Sequence, residues 1–528
     1  KYNYRRKTMV KSVLEYLENS AARFPDKKAV ADDKSSMTYS ELVNNARNIA
    51  AGLLPYTERR QAVPVYMDKS CHTLALFMGA VMAGCFYVCL DPSQPAERIN
   101  MILETLEAKL MVVDEKSAKK QAKLGFDGPV LNIDELMTHE VTEEENEKLA
   151  QIRSEALDID PLYSIFTSGS TGVPKGVIVN HRSVIDFIDC FTDTFNISEN
   201  DIIGNQAPFD FDVSVKDIYS TLKCGATIQI IPKQLFSFPT KLLDYLDDKL
   251  YNILSDAYPF QFNNLSFTNI NIIRRTLNGF EYKVPSKINK VIFSGEVMPI
   301  KHLNLWRKAY PDAMFVNVYG PTEITCNCTY YIVDREYELD ETLPMGKAFP
   351  NERVFLLDDD DNIITESQPG TTGEICVSGT AVTMGYYNNP EKTDAAFVQN
   401  PLNNKYNEII YRTGDLGYYN NDGLMCFSSR KDFQIKHMGH RIELGEIEMA
   451  INAIDNVLRA CCIFDKDANK ILGFYEGDTD KKTIMHELMQ KLPKFMIPSE
   501  FIQVTMPITK NGKIDRKVLM DNYNAAKN

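Results

Sequence analysis

The stretch FTSGSTGVPKG, Phe166 to Gly176, constrains this chain more than any other. Its Gly, Ser and Thr residues crowd backbone N–H groups and hydroxyls into one short loop, which Lys175 ends. Such a loop can wrap a polyphosphate, because oriented amides and one ammonium meet anionic oxygens with no bulky side chain in the way. An apolar run, Leu162 to Phe166, precedes it, and a β-branched run, Val177 to Val179, follows. Two strands are therefore expected, with the loop projecting from a sheet edge. A Walker A loop is excluded, because it needs four residues between its glycines and then Gly-Lys-Ser/Thr opening a helix. Here Gly169 and Gly172 are three apart, and Lys175 precedes Gly176.

Clusters of Gly, Ser and Thr are by themselves most often turns. This one is accompanied by other segments in a fixed order: MTYSEL (Met37 to Leu42), FDFDVSVKDIY (Phe209 to Tyr219), NVYGPTE (Asn317 to Glu323) and GEICVSG with GYYNNPEKT (Gly373 to Thr393). They continue with YRTGDL (Tyr411 to Leu416), RKDFQIKHMGHRIELGEIE (Arg430 to Glu448) and NGKIDRK (Asn511 to Lys517). Together they resemble the adenylate-forming enzymes, specifically the amino-acid adenylation domains of nonribosomal peptide synthetases, over nearly the whole chain.

The chemistry of that family suits these residue types. A carboxylate oxygen attacks the α-phosphorus of ATP and pyrophosphate leaves. An α-carboxyl, with a pKa near ~3.5, is already ionised at neutral pH, so no base is required. What remains is to hold two anions together and neutralise the developing charge. The resemblance implies that Thr167, Ser168, Gly169, Ser170, Thr171, Gly172 and Lys175 cradle the β- and γ-phosphates, that Thr322 meets the α-phosphate, and that Glu323 binds Mg²⁺. It implies that Asn317 bonds adenine and Tyr319 stacks on it, that Asp415 holds the ribose hydroxyls, and that Arg430 approaches the same sugar. Lys513 is implied as the lysine that bonds the reacting carboxylate during adenylation.

The expected architecture is α/β: a large N-terminal domain of mixed sheets and helices, residues 1–431, and a small mobile α+β C-terminal domain, residues 432–528, hinged at Asp432. Strand-like and helix-like segments alternate through residue 240, short strands with Gly-containing turns begin near Gly373, and helices are expected near Gly445 to Ile454 and Thr483 to Lys491. By resemblance, the small domain rotates after adenylation, withdrawing Lys513 and bringing the Gly439 to Glu446 loop to the site. There a phosphopantetheine thiol displaces AMP. No segment after Leu519 resembles a carrier domain, so the expected carrier protein is a separate chain or a removed neighbour.

Asp212 bears on which acid is activated. In the register FDFDVS it falls where amino-acid-activating members carry an aspartate for the α-ammonium, and a buried acid needs such a cationic complement. The alternative is a helix N-cap before Val213. The other pocket positions by alignment are Val213, Lys216, Ile292, Ser294, Val318, Cys326 and Asn327, with Ala257 at the wall. Lys216 either faces the pocket, favouring an acidic or polar substrate, or snorkels to solvent from an amphipathic helix. The register between Tyr251 and Arg275 departs from the family pattern, and Asp256 is an alternative partner for Lys216. The rival readings are a D-alanine carrier-protein ligase, an acyl-CoA ligase and a noncatalytic nucleotide-binding module.

Composition narrows the partners. A net charge of −14 opposes nonspecific binding to nucleic acid or anionic membrane. The 11 cysteines are scattered without CxxC pairs, as expected of reduced thiols in a cytosolic protein. The one long apolar run, Leu74 to Leu90, is 17 residues, divided by Gly79 and Gly84 and closed by Asp91-Pro92, so buried core is expected rather than a membrane span. The acidic run Asp358 to Asp361 lies between β-rich arms and is expected to be a hairpin turn rather than a metal site.

Overall fold

The structure, a computed structural model, describes residues 9–527 apart from 169–172, 250–252, 256–282, 296, 297, 299, 340, 432, 433, 439, 467 and 509–513. Three large sheets carry the first 430 residues. A six-stranded sheet runs in the order Val130–Asn132, Met111–Val113, Ala62–Tyr66, Phe86–Cys89, Pro161–Thr167, Lys175–Asn180. All its neighbours are parallel except the last two, which form an antiparallel hairpin pairing Phe166 with Gly176 and Thr167 with Lys175. The segments flanking the glycine-rich loop are therefore the two arms of a hairpin at a sheet edge, as their sequences predict.

A nine-stranded sheet is parallel through its centre, where Met314–Tyr319, Lys290–Phe293, Ile253–Ser255, Ile202–Asn205, Thr227–Ile230 and Lys28–Ala31 lie side by side. Antiparallel strands close both of its edges. Parallel strands end at the same side of a sheet, and loops leaving their carboxyl ends are where α/β proteins bind ligands. Phe209 to Asp212, Ser294 and Gly320 to Glu323 all follow such ends. The third sheet, spanning Glu352–Leu357 to Met425–Arg430, is antiparallel. Its first hairpin turns at Asp358, whose carboxylate accepts the backbone N–H of Asp360 and of Asn362, so the acidic run is a turn.

The run Leu74 to Leu90 divides as its glycines suggest. Cys71–Met82 is a helix buried on nearly every face, and Phe86–Cys89 is a buried strand. The helix touches Tyr39–Leu53 so closely at Gly79 that a Cβ there would stand 2.5 Å from Ile49. No helix among the described residues is long and apolar enough to cross a membrane.

After Arg430 the chain forms a hairpin, Gln434–His437 with His440–Glu443, and a three-stranded sheet of Val457–Asp465, Lys470–Gly477 and Glu500–Gln503. Helices Leu444–Asn452, Lys481–Lys491 and Arg516–Lys527 accompany them. The hydrophobic clusters of this part share no residue with the main core, which ends at Met425. The mixed α/β architecture agrees with expectation.

Candidate active site

One cavity collects residues from all of these elements. Its walls include Thr167 and Ser168 of the glycine-rich hairpin, Phe211 to Val213, Ser294, Gly320 to Thr322, Asp415, Arg430, and Lys436, His440 and Arg441 of the C-terminal hairpin. Residues separated by hundreds of positions thus face one another.

The Met314–Tyr319 strand delivers YGPTE to the cavity. Gly320 is required there, because a Cβ would lie 2.5 Å from the Cys326 carbonyl oxygen. A short turn, Thr322–Ile324, then places Glu323 wholly out of solvent. Its Oε1 accepts the Tyr386 hydroxyl at 2.7 Å and faces Lys175 Nζ at 3.3 Å, while Oε2 accepts Arg441 Nη1 at 2.6 Å. Burial opposes its charge, but Arg441 and Lys175 outweigh burial and hold the carboxyl far below its usual range. The mirror effect acts on Lys175, whose ammonium is lowered to about 8 by burial and by the neighbouring Arg441.

Backbone hydrogen bonds fix this charge cluster. Thr383 N–H donates to Glu323 O at 3.1 Å, Met384 N–H to Ile178 O at 3.0 Å, and Tyr387 N–H to Gly176 O at 2.8 Å. Ile178 N–H donates in turn to Gly385 O at 3.0 Å. The segment bearing Tyr386 thus lies along the outer edge of the strand bearing Lys175 and holds the Glu323 turn.

Asp415 is fully buried. Its Oδ2 accepts the Tyr319 hydroxyl at 2.6 Å, and Arg430 pairs with its Oδ1 while also donating to Thr413 O at 3.3 Å. Asn317 Nδ2 donates to Pro344 O at 2.7 Å, and the Lys436 ammonium stands 5.2 Å from the centre of the Tyr319 ring.

Asp212 precedes the helix Val213–Cys224 at the position of an N-cap, but its backbone is helical and its side chain makes no capping bond. Burial pushes its carboxyl up, opposed by the Thr322 hydroxyl and the Lys216 ammonium. Lys216 does not snorkel, and that expectation is corrected. The helix is buried on every side from Val213 to Leu222 and offers no solvent face; Lys216 is 1% exposed, and its Nζ donates to Val213 O at 3.1 Å. Asp212, Val213 and Ser294 line the cavity, and the Ser294 hydroxyl is buried without a partner among the described residues. Lys216, Ile292, Val318, Cys326 and Asn327 are buried outside its lining. Gly169, Ser170, Thr171, Gly172, Ala257, Asp256, Asp432, Gly439 and Lys513 lie outside the described residues.

Sequence reasoning did not single out Tyr386, Lys436 or Arg441, although all three lie within quoted motifs. Nor did it find Arg98, which forms a buried 2.6 Å ion pair with Glu446, or Phe211 and Phe495, which enclose His440. Ser168 Oγ donates to Arg441 O at 2.7 Å, so the C-terminal hairpin rests directly on the glycine-rich loop.

This site sits in a chain whose residues 17–387 match the family model "AMP-binding enzyme". The chain is 31% identical to a D-alanine--D-alanyl carrier protein ligase of Bacillus cytotoxicus, the match covering 97% of this chain and 100% of the relative. It is 30% identical to tyrocidine synthase 1 of Brevibacillus parabrevis, covering 96% of this chain and 45% of that relative. Its fold is similar to the Vibrio cholerae adenylation domain AlmE, solved with glycyl-adenosine-5'-phosphate, with a TM-score of 0.82, 19% identity, and coverage of 98% and 99%. With the motifs, the site and these relatives in agreement, the chain belongs to the AMP-binding enzyme family and is an AMP-forming ligase.

Proposed function

We propose that this ligase activates an amino acid with ATP, forming aminoacyl-AMP and pyrophosphate, and then passes the aminoacyl group to the phosphopantetheine thiol of a carrier protein. The observation that carries the reading is the placement of Asp212 beside Thr322 in the cavity that also holds Asp415, Arg430 and Ser168. An acid there complements an α-ammonium, and it sits next to the residues assigned to nucleotide.

In the first step the substrate carboxylate oxygen bonds to the α-phosphorus as the bond to the β-phosphate oxygen breaks. Asp212 orients the substrate through its ammonium, Ser168 and Lys175 receive the leaving phosphates, and Asp415 and Arg430 hold the sugar. Lys513 supplies positive charge to the reacting oxygens. Glu323 is the residue suited by charge to Mg²⁺, which when bound neutralises phosphate charge. In the second step the thiol sulfur bonds to the acyl carbon, the carbon–oxygen bond to phosphate breaks, AMP leaves and the thiol proton passes to solvent. The two parts of the chain meet at Asp432, with residues 432–528 moving as a body; their separate hydrophobic clusters support this division.

ATP–pyrophosphate exchange across a panel of L- and D-amino acids, D-alanine included, tests the reading. One amino acid is expected to give strong exchange. Asp212→Asn should abolish it for that amino acid, and Lys513→Ala should lower it on the order of 10²- to 10³-fold. Exchange with desamino acids and none with amino acids would make this an acyl ligase instead.

A further inference from the structure

The walls of the cavity divide by role, and one stretch of them has no part in adenylation. Thr322, Asp415 and Arg430 stand where the nucleotide is assigned, and Asp212 and Ser294 where the amino acid is. Another stretch is made by Gln94, Arg98, Phe166, Asp210, Phe495 and Met496. Within it Gln94 Nε2 donates to Asp210 Oδ2 at 3.1 Å, while Gln94 Oε1 is buried without a partner among the described residues. A buried acceptor of that kind calls for a donor from a bound molecule or water. With the adenylate filling the other two parts, this wall is left for the arm that carries the thiol, whose amide N–H groups suit Gln94 Oε1. We propose that Asp210 is the general base of the second half-reaction, taking the thiol proton inside the cavity and handing it to Asp91 and then to solvent. The inference rests on the thiol-transfer step of the proposed function.

A single turn ties the two carboxylates together. Ser93 N–H donates to Asp91 Oδ1 at 2.7 Å in an exposed bond, and Gln94 N–H donates to Asp91 O at 3.0 Å. Gln94 therefore reaches Asp210 from a turn that Asp91 itself closes, with Asp91 on the solvent side and Asp210 on the cavity side. Desolvation, then the charge of Asp91, pushes the Asp210 carboxyl up from its usual range, and Lys233 and Gln94 pull less strongly the other way. The rise narrows its gap to a thiol, ordinarily at about 8.5, as a base working near neutral pH requires. The other titratable groups around it are Cys89, whose own thiol is pushed up by desolvation and by Asp210, and Arg98 and His440 on the same cavity walls. Arg98 is held by Glu446, and burial between Phe211 and Phe495 keeps the His440 imidazole neutral, so neither competes for the proton. In the step, the S–H bond breaks toward an Asp210 oxygen as sulfur bonds the acyl carbon. The acyl carbon–oxygen bond to phosphate breaks, and its electron pair leaves with AMP. The proton then crosses to Asp91 and to water, which returns Asp210 to its ionised form.

Single-turnover transfer to pantetheine tests the proposal, with the amino acid identified by exchange and rapid-quench readings on both sides of the thiol's ionisation, from about pH 6 to about 9.5. Asp210→Asn is expected to slow transfer on the order of 10²-fold near pH 7. Its rate should then climb about tenfold per pH unit and close on that of the unaltered protein above about pH 8.5, because a thiolate needs no base. Asp91→Asn removes the like charge beside Asp210 and should move the lower inflection of the pH profile to lower pH. It keeps the test decisive if Asp210→Asn does not fold. A loss in Asp210→Asn that is the same at every pH, or no loss at all, overturns the proposal, as does an unmoved profile in Asp91→Asn. No transfer by the unaltered protein at any pH would instead remove the carrier-thiol reading and the proposal with it, while pyrophosphate exchange still reports the first step.

Discussion

Glu352 shows what a single poorly satisfied acid does to stability. Its Oε1 accepts the Ala381 N–H at 2.9 Å, whereas Oε2 is buried without a partner among the described residues. Burial pushes the carboxyl up from 4.5 to about 8, and nearby Asp186 adds to the rise. The native chain therefore keeps a proton that the unfolded chain releases, and stability falls as pH rises between about 4.5 and about 8. Glu352→Gln should remove that slope. Its Tm should match the parent near pH 4.5 and exceed it by a few degrees at pH 8, on the scale of about 1 °C per kcal/mol that the unfolding entropy of a chain this long implies. A difference in Tm that is the same at both pH values would show that proton linkage is not the cause. At this scale the sequence was informative for several residues inside motifs: Ser168, Asp212, Thr322, Asp415 and Arg430 do share one cavity. It was silent on pairs made only by folding. Arg441 reaches Glu323 across 118 residues and Tyr386 reaches it across 63, and no local pattern encodes either meeting. Of the two readings of Lys216, burial removes the one that sent it to solvent. Its helix carries polar residues, which suggested a wet face, yet Asp217, Ser220 and Thr221 are as buried as the leucine beside them.

Among the elements, the pair of helices Tyr39–Leu53 and Cys71–Met82 is held at a distance set by one missing side chain. Gly79 faces Ile49 so closely that even a methyl group must displace it. Gly79→Ala gains helix propensity of about 1 kcal/mol, but the overlap should win, giving a net loss of about 1–3 kcal/mol by denaturant unfolding. Pairing it with Ile49→Ala should restore part of that loss, because alanine lacks the Cγ2 that stands nearest to the new methyl group. Additive losses would mean that the helices do not meet as described. These elements were largely legible: the glycine-divided apolar run was expected as buried core, and the runs flanking the glycine-rich loop were expected as two strands at a sheet edge. Sheet membership was not legible, since parallel strands are joined by long crossovers and their neighbours are decided by packing between distant segments.

For the molecule as a whole, a ligand that fills the cavity should brace parts that otherwise have separate cores. A nonhydrolysable aminoacyl-adenylate analogue carrying the amino acid found by exchange is expected to stabilise the fold by about 2.7 kcal/mol at a hundred times its Kd. That is a rise of about 2–3 °C in Tm, and Arg430→Ala should erase most of it by freeing the sugar and leaving Asp415 uncompensated. A rise that persists in Arg430→Ala would place the nucleotide elsewhere. The backbone seam between residues 383–387 and the strand Lys175–Asn180 has a consequence of another kind. Through it, Lys175, Glu323 and Tyr386 are joined to one another by backbone bonds between their segments as well as by their side chains. Thermal drift of one sheet against the next then moves all three as common-mode displacement: the charge triangle travels, but its internal distances do not change.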